Sequence, residues 1–411
     1  MSINTGDTAW LLISSALVML MTPGLALFYG GMVRRKNILS TMMMSFMMLG
    51  LVGILWVLYG YSLGFGTDIG GFIGGLDFIG LRNVGQEPST VYATTTPHLA
   101  YMIFQAMFAI ITVALITGSI VERVKFSALV VFSVLWLTLV YSPVAHWVWG
   151  SGGWLTKFGA LDFAGGSVVH INAGISALAL ATLLGRRRGF LQDAMEPNNI
   201  PLVALGAGLL WFGWFGFNAG SALTSGGLAA SAFVATNTSA ASAAFVWMFL
   251  SWFHKRPTVL GTVTGAVVGL VAITPAAGFV PPLAGIPIGG IAAVISYYGM
   301  TLFKIKRGVD DSLDVFSCHG LGGIWGCLAT GIFASVAVNS AGANGLLYGG
   351  GMLVLKQLVS VLAVGAYAFI VTWLLGKLID VTIGLRVSAT EETVGLDISQ
   401  HGERAYGGIL R

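Results

Sequence analysis

Charge is the scarcest property of this chain. Only 9% of its 411 residues are Asp, Glu, Lys or Arg, against 56% hydrophobic, whereas soluble domains carry roughly 25% charged residues. The apolar residues gather in runs, each close to the roughly 20 residues that a helix needs to cross a hydrocarbon core. Eleven runs stand out, at 8–32, 38–63, 98–120, 126–147, 166–184, 199–218, 227–252, 258–277, 284–303, 315–337 and 347–379. Backbone in lipid must satisfy its own hydrogen bonds, so such runs fold as helices. The expectation is an all-α polytopic membrane protein with eleven transmembrane helices.

The few charges fall between the runs, and unevenly. Arg34, Arg35 and Lys36, Arg123 and Lys125, Arg186 to Arg188, Lys255 and Arg256, and Lys304, Lys306 and Arg307 follow the first, third, fifth, seventh and ninth runs. Lys377 and Arg386 flank the end of the eleventh, and the other side keeps Arg82, Lys157 and Lys356. Basic residues collect on the cytoplasmic side, which puts the N-terminus outside and the C-terminus inside. The same asymmetry accounts for the net charge of +4 without a nucleic-acid partner. MSINTGDTAW has no basic n-region, so no cleaved signal is read there. A multi-pass protein of the cell membrane (plasma or inner) follows. Cys318 and Cys327 share one run and make no disulfide framework. No cofactor is expected.

The two halves resemble one another in layout. Runs one to five end on a histidine segment, DFAGGSVVHINAG (162–174), and runs six to ten end on another, DVFSCHGLGGIWG (314–326). Five spans is an odd number, so a second copy inserts upside down, as in transporters with a site at the midplane. This predicts a five-plus-five inverted repeat and a long eleventh helix over 1–385, followed by a polar cytoplasmic tail, 386–411. His170 and His319 then lie at membrane depth, where ionisable groups usually face a polar cavity or a pathway. Imidazole titrates nearest physiological pH, so a proton-competent pore lining is one reading. A plain helix-to-helix hydrogen bond is another, and a metal pair a third; only Cys318 stands near to add a ligand.

Aromatic residues frame these segments. Phe104 and Phe108 in FQAMFA lie one helical turn apart. GWFGFNAGS supplies Trp214, Phe217 and Ser221, and AHWVWG supplies Trp149. Singly, each fits an interfacial belt or a packed core. Together they suit a compact cation, drawn to ring faces and hydrogen-bonded to a hydroxyl. Asp162 and Asp314 open the two histidine segments, and a carboxylate there caps helical N–H groups; Asp162 could alternatively attract a cation. Asp310 and Asp311 are expected to be solvated or paired with basic groups in a cytoplasmic loop, and in the tail Asp397 and Glu403 offer partners for the basic loops, such as Arg186 to Arg188 and Lys304 to Arg307.

ALDFAGGSVVHINAG (160–174), FQAMFA, AHWVWG, WFGFNAGS, DVFSCHG and the terminal GLDISQHGERAY occur in the order in which the ammonium transporters carry them. Over nearly its whole length the chain resembles the Amt branch of the Amt/Mep/Rh superfamily. That resemblance implies an outer ammonium site of Phe104, Phe108, Trp149 and Ser221 and a phenyl gate of Phe108 and Phe217. It implies twin pore histidines, His170 and His319, with Asp162 holding the outer site together and Gln105 and Trp214 completing its wall. It also implies a homotrimer with one pore per subunit, methylammonium as a substrate analogue, and a PII-type signal protein docking on the cytoplasmic face. Cys318 before His319 departs from the aliphatic residue more familiar there.

Physical chemistry agrees with a deprotonating pore. Ammonium and potassium are similar in size and charge, and an apolar passage rejects both as ions through desolvation. Only ammonium can shed a proton. Ammonia then crosses past Phe108 and Phe217 while the proton travels through the imidazoles, giving electrogenic uptake rather than an enzyme's turnover. An electroneutral ammonia channel and an ammonium sensor acting through a partner use the same residues and stay open at this point, as does a membrane metalloenzyme, which lacks a third ligand.

Overall fold

Helix caps fall where the sequence supplies them. In the computed structural model, which describes residues 2–406, Asn4 caps α1 (Thr5–Met32) by accepting the Asp7 N–H. Helical segments stand at all eleven runs among these residues. They continue as α2 (Arg35–Phe65), α3 (His98–Thr117), α4 (Phe126–Phe158, interrupted near Gly150) and α5 (Gly166–Leu184). The second set is α6 (Ile200–Gly220), α7 (Gly227–His254), α8 (Val259–Ile273), α9 (Pro282–Lys306), α10 (316–333) and α11 (Met352–Thr382). Nine of them are long and apolar enough to cross a membrane by length and composition; α8 and the histidine-bearing α10 fall outside that measure. Asn199 caps α6, with Pro201 in its first turn, and Thr258 caps α8. Between α2 and α3, two short hairpins (Asp68–Ile69 with Ile73–Gly74, and Pro88–Ser89 with Ala93–Pro97) mark one end of the bundle. We call it the hairpin face. The opposite end carries the basic loops.

Two histidine helices cross at the centre. A Cβ on Gly174 of α5 would collide with the backbone of Gly320 in α10, and one on Gly323 would stand 3.1 Å from the His170 Cβ. Glycine is thus required where the backbones touch. α1 lies along α6, α7 packs on α8 and α9, and α11 runs along α5. The outward faces of α7 and α11 expose Phe245, Phe249, Leu362, Ile370 and Leu374, as lipid contact or subunit contact requires.

The basic face is tied together by a buried charge cluster. Glu122 has a fully buried side chain and accepts from Arg34 Nε at 3.0 Å, Asn37 Nδ2 at 3.0 Å and Arg187 Nη1 at 2.6 Å. Arg187 also grips Asp310 through Nε and Nη2, the latter at 2.8 Å. Of the two expectations for this loop, Asp310 meets the paired one, because Arg187, which follows α5, turns inward to it; both aspartates are buried, 1% and 5% exposed.

The tail is seated on this cluster. It forms α12 (Ala389–Val394), opened by a Ser388–Glu391 capping box, and α13 (Leu396–His401). Asn37 accepts the Leu396 N–H at 2.8 Å, and Asp397 accepts the Ser40 N–H at 2.8 Å, capping the start of α2. Glu392 pairs with Arg386 at 2.7 Å and takes the Arg188 N–H. Arg35 lies over the Tyr406 ring. Asp397 does not pair with the basic loops as expected: it is spent on a helix end, and Glu392 meets the basic residues. Residues 407–411 of the tail lie outside the described residues.

Burial pushes the Glu122 carboxyl up, but Arg187 and Arg34 outweigh it and hold it at about 2. A depressed carboxylate stabilises the fold fully above its unfolded value, near 4.5, and loses that contribution as pH falls from there toward about 2. Removing one partner of a buried ion pair costs about 3–5 kcal/mol. Glu122→Gln is expected to lower the unfolding temperature in detergent at neutral pH, and to flatten the loss of stability over that acid window.

Candidate functional site

Both histidine helices begin as a wide π-helical turn, Gly166–Ile171 and Phe316–Leu321. Such turns are rare, and many of those known stand at functional sites. Asp162 caps the first. Its Oδ1 accepts the N–H groups of Gly165 and Gly166, each at 2.7 Å, and its Oδ2 accepts those of Ser167 at 2.7 Å and Val168 at 3.2 Å. The second cap is Asp311, not Asp314 as the sequence reading had it. Asp311 Oδ2 accepts the Phe316 N–H at 2.7 Å. Asp314 sits in a left-handed conformation, φ 58°, and pairs with Lys304 at 2.9 Å. The signal was present in the spacing. Asp162 and Asp311 each stand eight residues before their histidine and cap the N–H five residues on.

The crossing brings the imidazoles into contact. His170 Nδ1 and His319 Nδ1 are 3.2 Å apart, with the rings stacked at 29°. On the other side His170 stacks on Trp214, 5.4 Å between centroids, and on Phe217, 5.9 Å. His170 Nε2 lies 3.3 Å from the hydroxyl of Thr274, to which Trp214 Nε1 donates at 2.9 Å. Thr274, just past α8, belongs to none of the motifs, and the sequence reading missed it. A lone Thr after an apolar run carries no signal of its own.

Above the imidazoles lies an aromatic stack. Phe108 meets Phe217 at 4.3 Å between centroids, Phe104 at 4.9 Å, and Trp149 edge-on at 5.7 Å. Trp149 Nε1 donates to the Asp162 carbonyl at 2.9 Å. One aspartate thus caps the His170 helix with its side chain and sets the Trp149 ring with its main chain. Ser221, one turn beyond Phe217, donates to the Phe217 carbonyl at 2.8 Å, which leaves its lone pairs free to accept N–H. Gln105 turns aside: its amide donates to the Tyr101 hydroxyl at 3.2 Å, and its Oε1 has no partner among the described residues.

A narrow apolar cavity runs beneath the stack, lined by Phe217, Trp214, His170, Val169, Leu25 and His319 among others, with room for about one water-sized molecule. His319 also lines a second cavity, with Phe28, Met32, Val315 and Asp314, toward the basic face. The two cavities share Phe28, Tyr29, Val267 and His319 in their linings. Among the described residues, no group of three or more His, Cys, Asp or Glu comes together that could hold a metal ion.

Long apolar helices packed around a buried imidazole pair define a polytopic membrane protein with a polar centre. Comparison with known proteins gives its family. A profile of the Ammonium Transporter Family matches residues 9–406. The chain is 52% identical over 402 residues to an ammonium transporter of Bacillus subtilis, covering 98% of both chains. It is 52% identical over 403 residues to ammonium transporter Amt1 of Archaeoglobus fulgidus, covering 98% of this chain and 100% of that one. The crystal structure of Candida albicans Mep2 superposes with a TM-score of 0.90 at 36% identity, covering 98% of this chain and 90% of that one. The chain belongs to the ammonium transporter family; it is a multi-pass membrane transporter and not an enzyme.

The two aspartates of the second half are separable by mutation. Asp311→Ala removes a helix cap and is expected to cost about 1–2 kcal/mol. Asp314→Asn keeps the left-handed backbone tolerable and removes only a partly exposed ion pair, worth at most about 1 kcal/mol. Unfolding temperatures of both variants in detergent rank the two effects.

Proposed function

We propose that this transporter recruits ammonium at the hairpin face, deprotonates it there, and conducts ammonia and the proton separately to the basic face. The observation that carries this reading is the pair of imidazoles in Nδ1–Nδ1 contact inside an otherwise apolar path. The cation is held by the rings of Phe104, Phe108 and Trp149 and by the Ser221 hydroxyl. Aromatic faces bind a desolvating cation with roughly 0.5–2 kcal/mol each, and Ser221 adds a good acceptor for N–H. Asp162 acts through Trp149 and the His170 helix, with both carboxylate oxygens already spent on backbone. Gln105 and Trp214 border this region. Phe108 and Phe217 are too close for an ion with its water shell, and they part for neutral ammonia. The cavity beneath is too apolar for a bare cation, so potassium, which cannot lose a proton, is rejected. His170 and His319 carry the proton, and ammonium re-forms beyond His319. Uptake is therefore electrogenic.

This reading sets the hairpin face outside and the basic face, with the C-terminus, in the cytoplasm of a cell whose plasma or inner membrane holds the protein. It treats 1–385 as the conducting domain, arranged as a homotrimer, and 386–411 as a regulatory tail on which a PII-type protein docks. The tail's bonds to Asn37, Ser40 and Arg188 support a coupling role rather than a loose end.

Current recording on proteoliposomes is the decisive measurement. Ammonium pulses are expected to give a saturable inward current, and potassium none. Electrically silent ammonia equilibration favours the gas channel; no flux at all favours a sensor. His170→Leu and His319→Leu are each expected to abolish or strongly reduce selective transport, and unchanged rate and selectivity in both removes the relay.

Deleting the tail from Gly395 is expected to leave a folded, membrane-inserted protein with reduced current, because α2 loses its Asp397 cap and Asn37 loses the Leu396 N–H. Current and oligomeric state measured side by side test this, and full activity in an intact assembly shows a passive tail.

A further inference from the structure

Hydrogen-bond valences around His170 close on Thr274. A hydroxyl has one proton and two lone pairs, and this one meets three partners. It lies 2.7 Å from the Leu270 carbonyl, 2.9 Å from Trp214 Nε1 and 3.3 Å from His170 Nε2. The carbonyl only accepts, and the indole N–H only donates. The hydroxyl proton goes to Leu270, the shorter of its two possible acceptors and the usual back-bond of a helical threonine. One lone pair takes the Trp214 N–H. The other faces His170 Nε2, which must carry a hydrogen to bond it. We propose that Thr274 is a positioning residue that holds His170 in its Nε2–H tautomer and so sets the direction in which the imidazole pair is poised; this rests on the reading of the pair as a relay.

The consequence passes to His319. With hydrogen on Nε2, neutral His170 accepts at Nδ1. The contact between the rings is Nδ1 to Nδ1, so His319 donates from Nδ1 and bares the lone pair of its Nε2. No hydrogen bond to protein engages that nitrogen among the described residues, and His319 lines the cavity toward the basic face.

An inward transfer starts from the opposite tautomers. A proton arrives at the bare His170 Nε2, the His170 Nδ1 proton crosses to His319 Nδ1, and the His319 Nε2 proton leaves toward the basic face. One proton enters and one leaves. The pair is then in the tautomers that Thr274 holds. Thr274 thus stabilises the discharged state, and its hydroxyl can turn from Leu270 to the bare His170 Nε2 when the pair resets.

Solid-state NMR of full-length, ¹⁵N-histidine-labelled protein in bilayers tests the assignment, since the two imidazole tautomers differ in nitrogen shifts. Wild type and Thr274→Ser are expected to show His170 as Nε2–H. Thr274→Val lacks the acceptor and is expected to lose about fivefold in preference for that tautomer, the weight of one neutral hydrogen bond. Its ammonium current should fall several-fold while Thr274→Ser stays near wild type. An Nδ1–H His170 in the wild type overturns the proposal even where Thr274→Val does not fold. So does an unshifted His170 in Thr274→Val. A shifted tautomer with unchanged current overturns the direction assigned here, and it leaves the relay itself to be judged by the histidine variants.

Discussion

The fold depends on a backbone contact. At Gly174 and Gly320 the two histidine helices touch with no side chain between them, and only this closeness brings His170 and His319 within hydrogen-bonding distance. A β-carbon at Gly174 would run into the Gly320 backbone, force the helices apart and leave two buried imidazoles without each other, a costly state in a low-dielectric interior. The rest of the bundle serves the crossing. Asp162 and Asp311 cap the two helices from opposite ends of the molecule, and the wide first turn of each swings its histidine into the contact.

The same logic links the aromatic stack to the imidazoles. Asp162 ties Trp149 to the start of α5, Phe217 touches both Phe108 and His170, and Trp214 shares Thr274 with His170. The aromatic stack and the imidazoles are thus joined by a continuous set of ring contacts and hydrogen bonds.

At the basic face, charge does the work that glycine does at the centre. Glu122, Arg187 and Asp310 draw together the chain segments that follow α1, α3, α5 and α9, and Asn37 joins Glu122 to the tail. Asp311, beside Asp310, caps the His319 helix. The tail and the His319 helix thus stand at two ends of one bonded cluster, buried enough to resist screening by salt.

Much was legible without coordinates. The apolar runs and the sparse charges dictated membrane helices, because lipid leaves a backbone no alternative. The order of the motifs identified the family, and Phe104, Phe108, Trp149, Phe217, His170 and His319 were singled out and do converge. Partners were not legible. Asp311 rather than Asp314 caps α10, Glu392 rather than Asp397 meets the basic loops, and Thr274 joins His170 from a helix a hundred residues away. A sequence records which groups a chain owns and the period at which they recur. It does not record which of several nearby carboxylates or hydroxyls reaches a given N–H, since that turns on angles and distances of a few tenths of an ångström, set when all the helices pack at once.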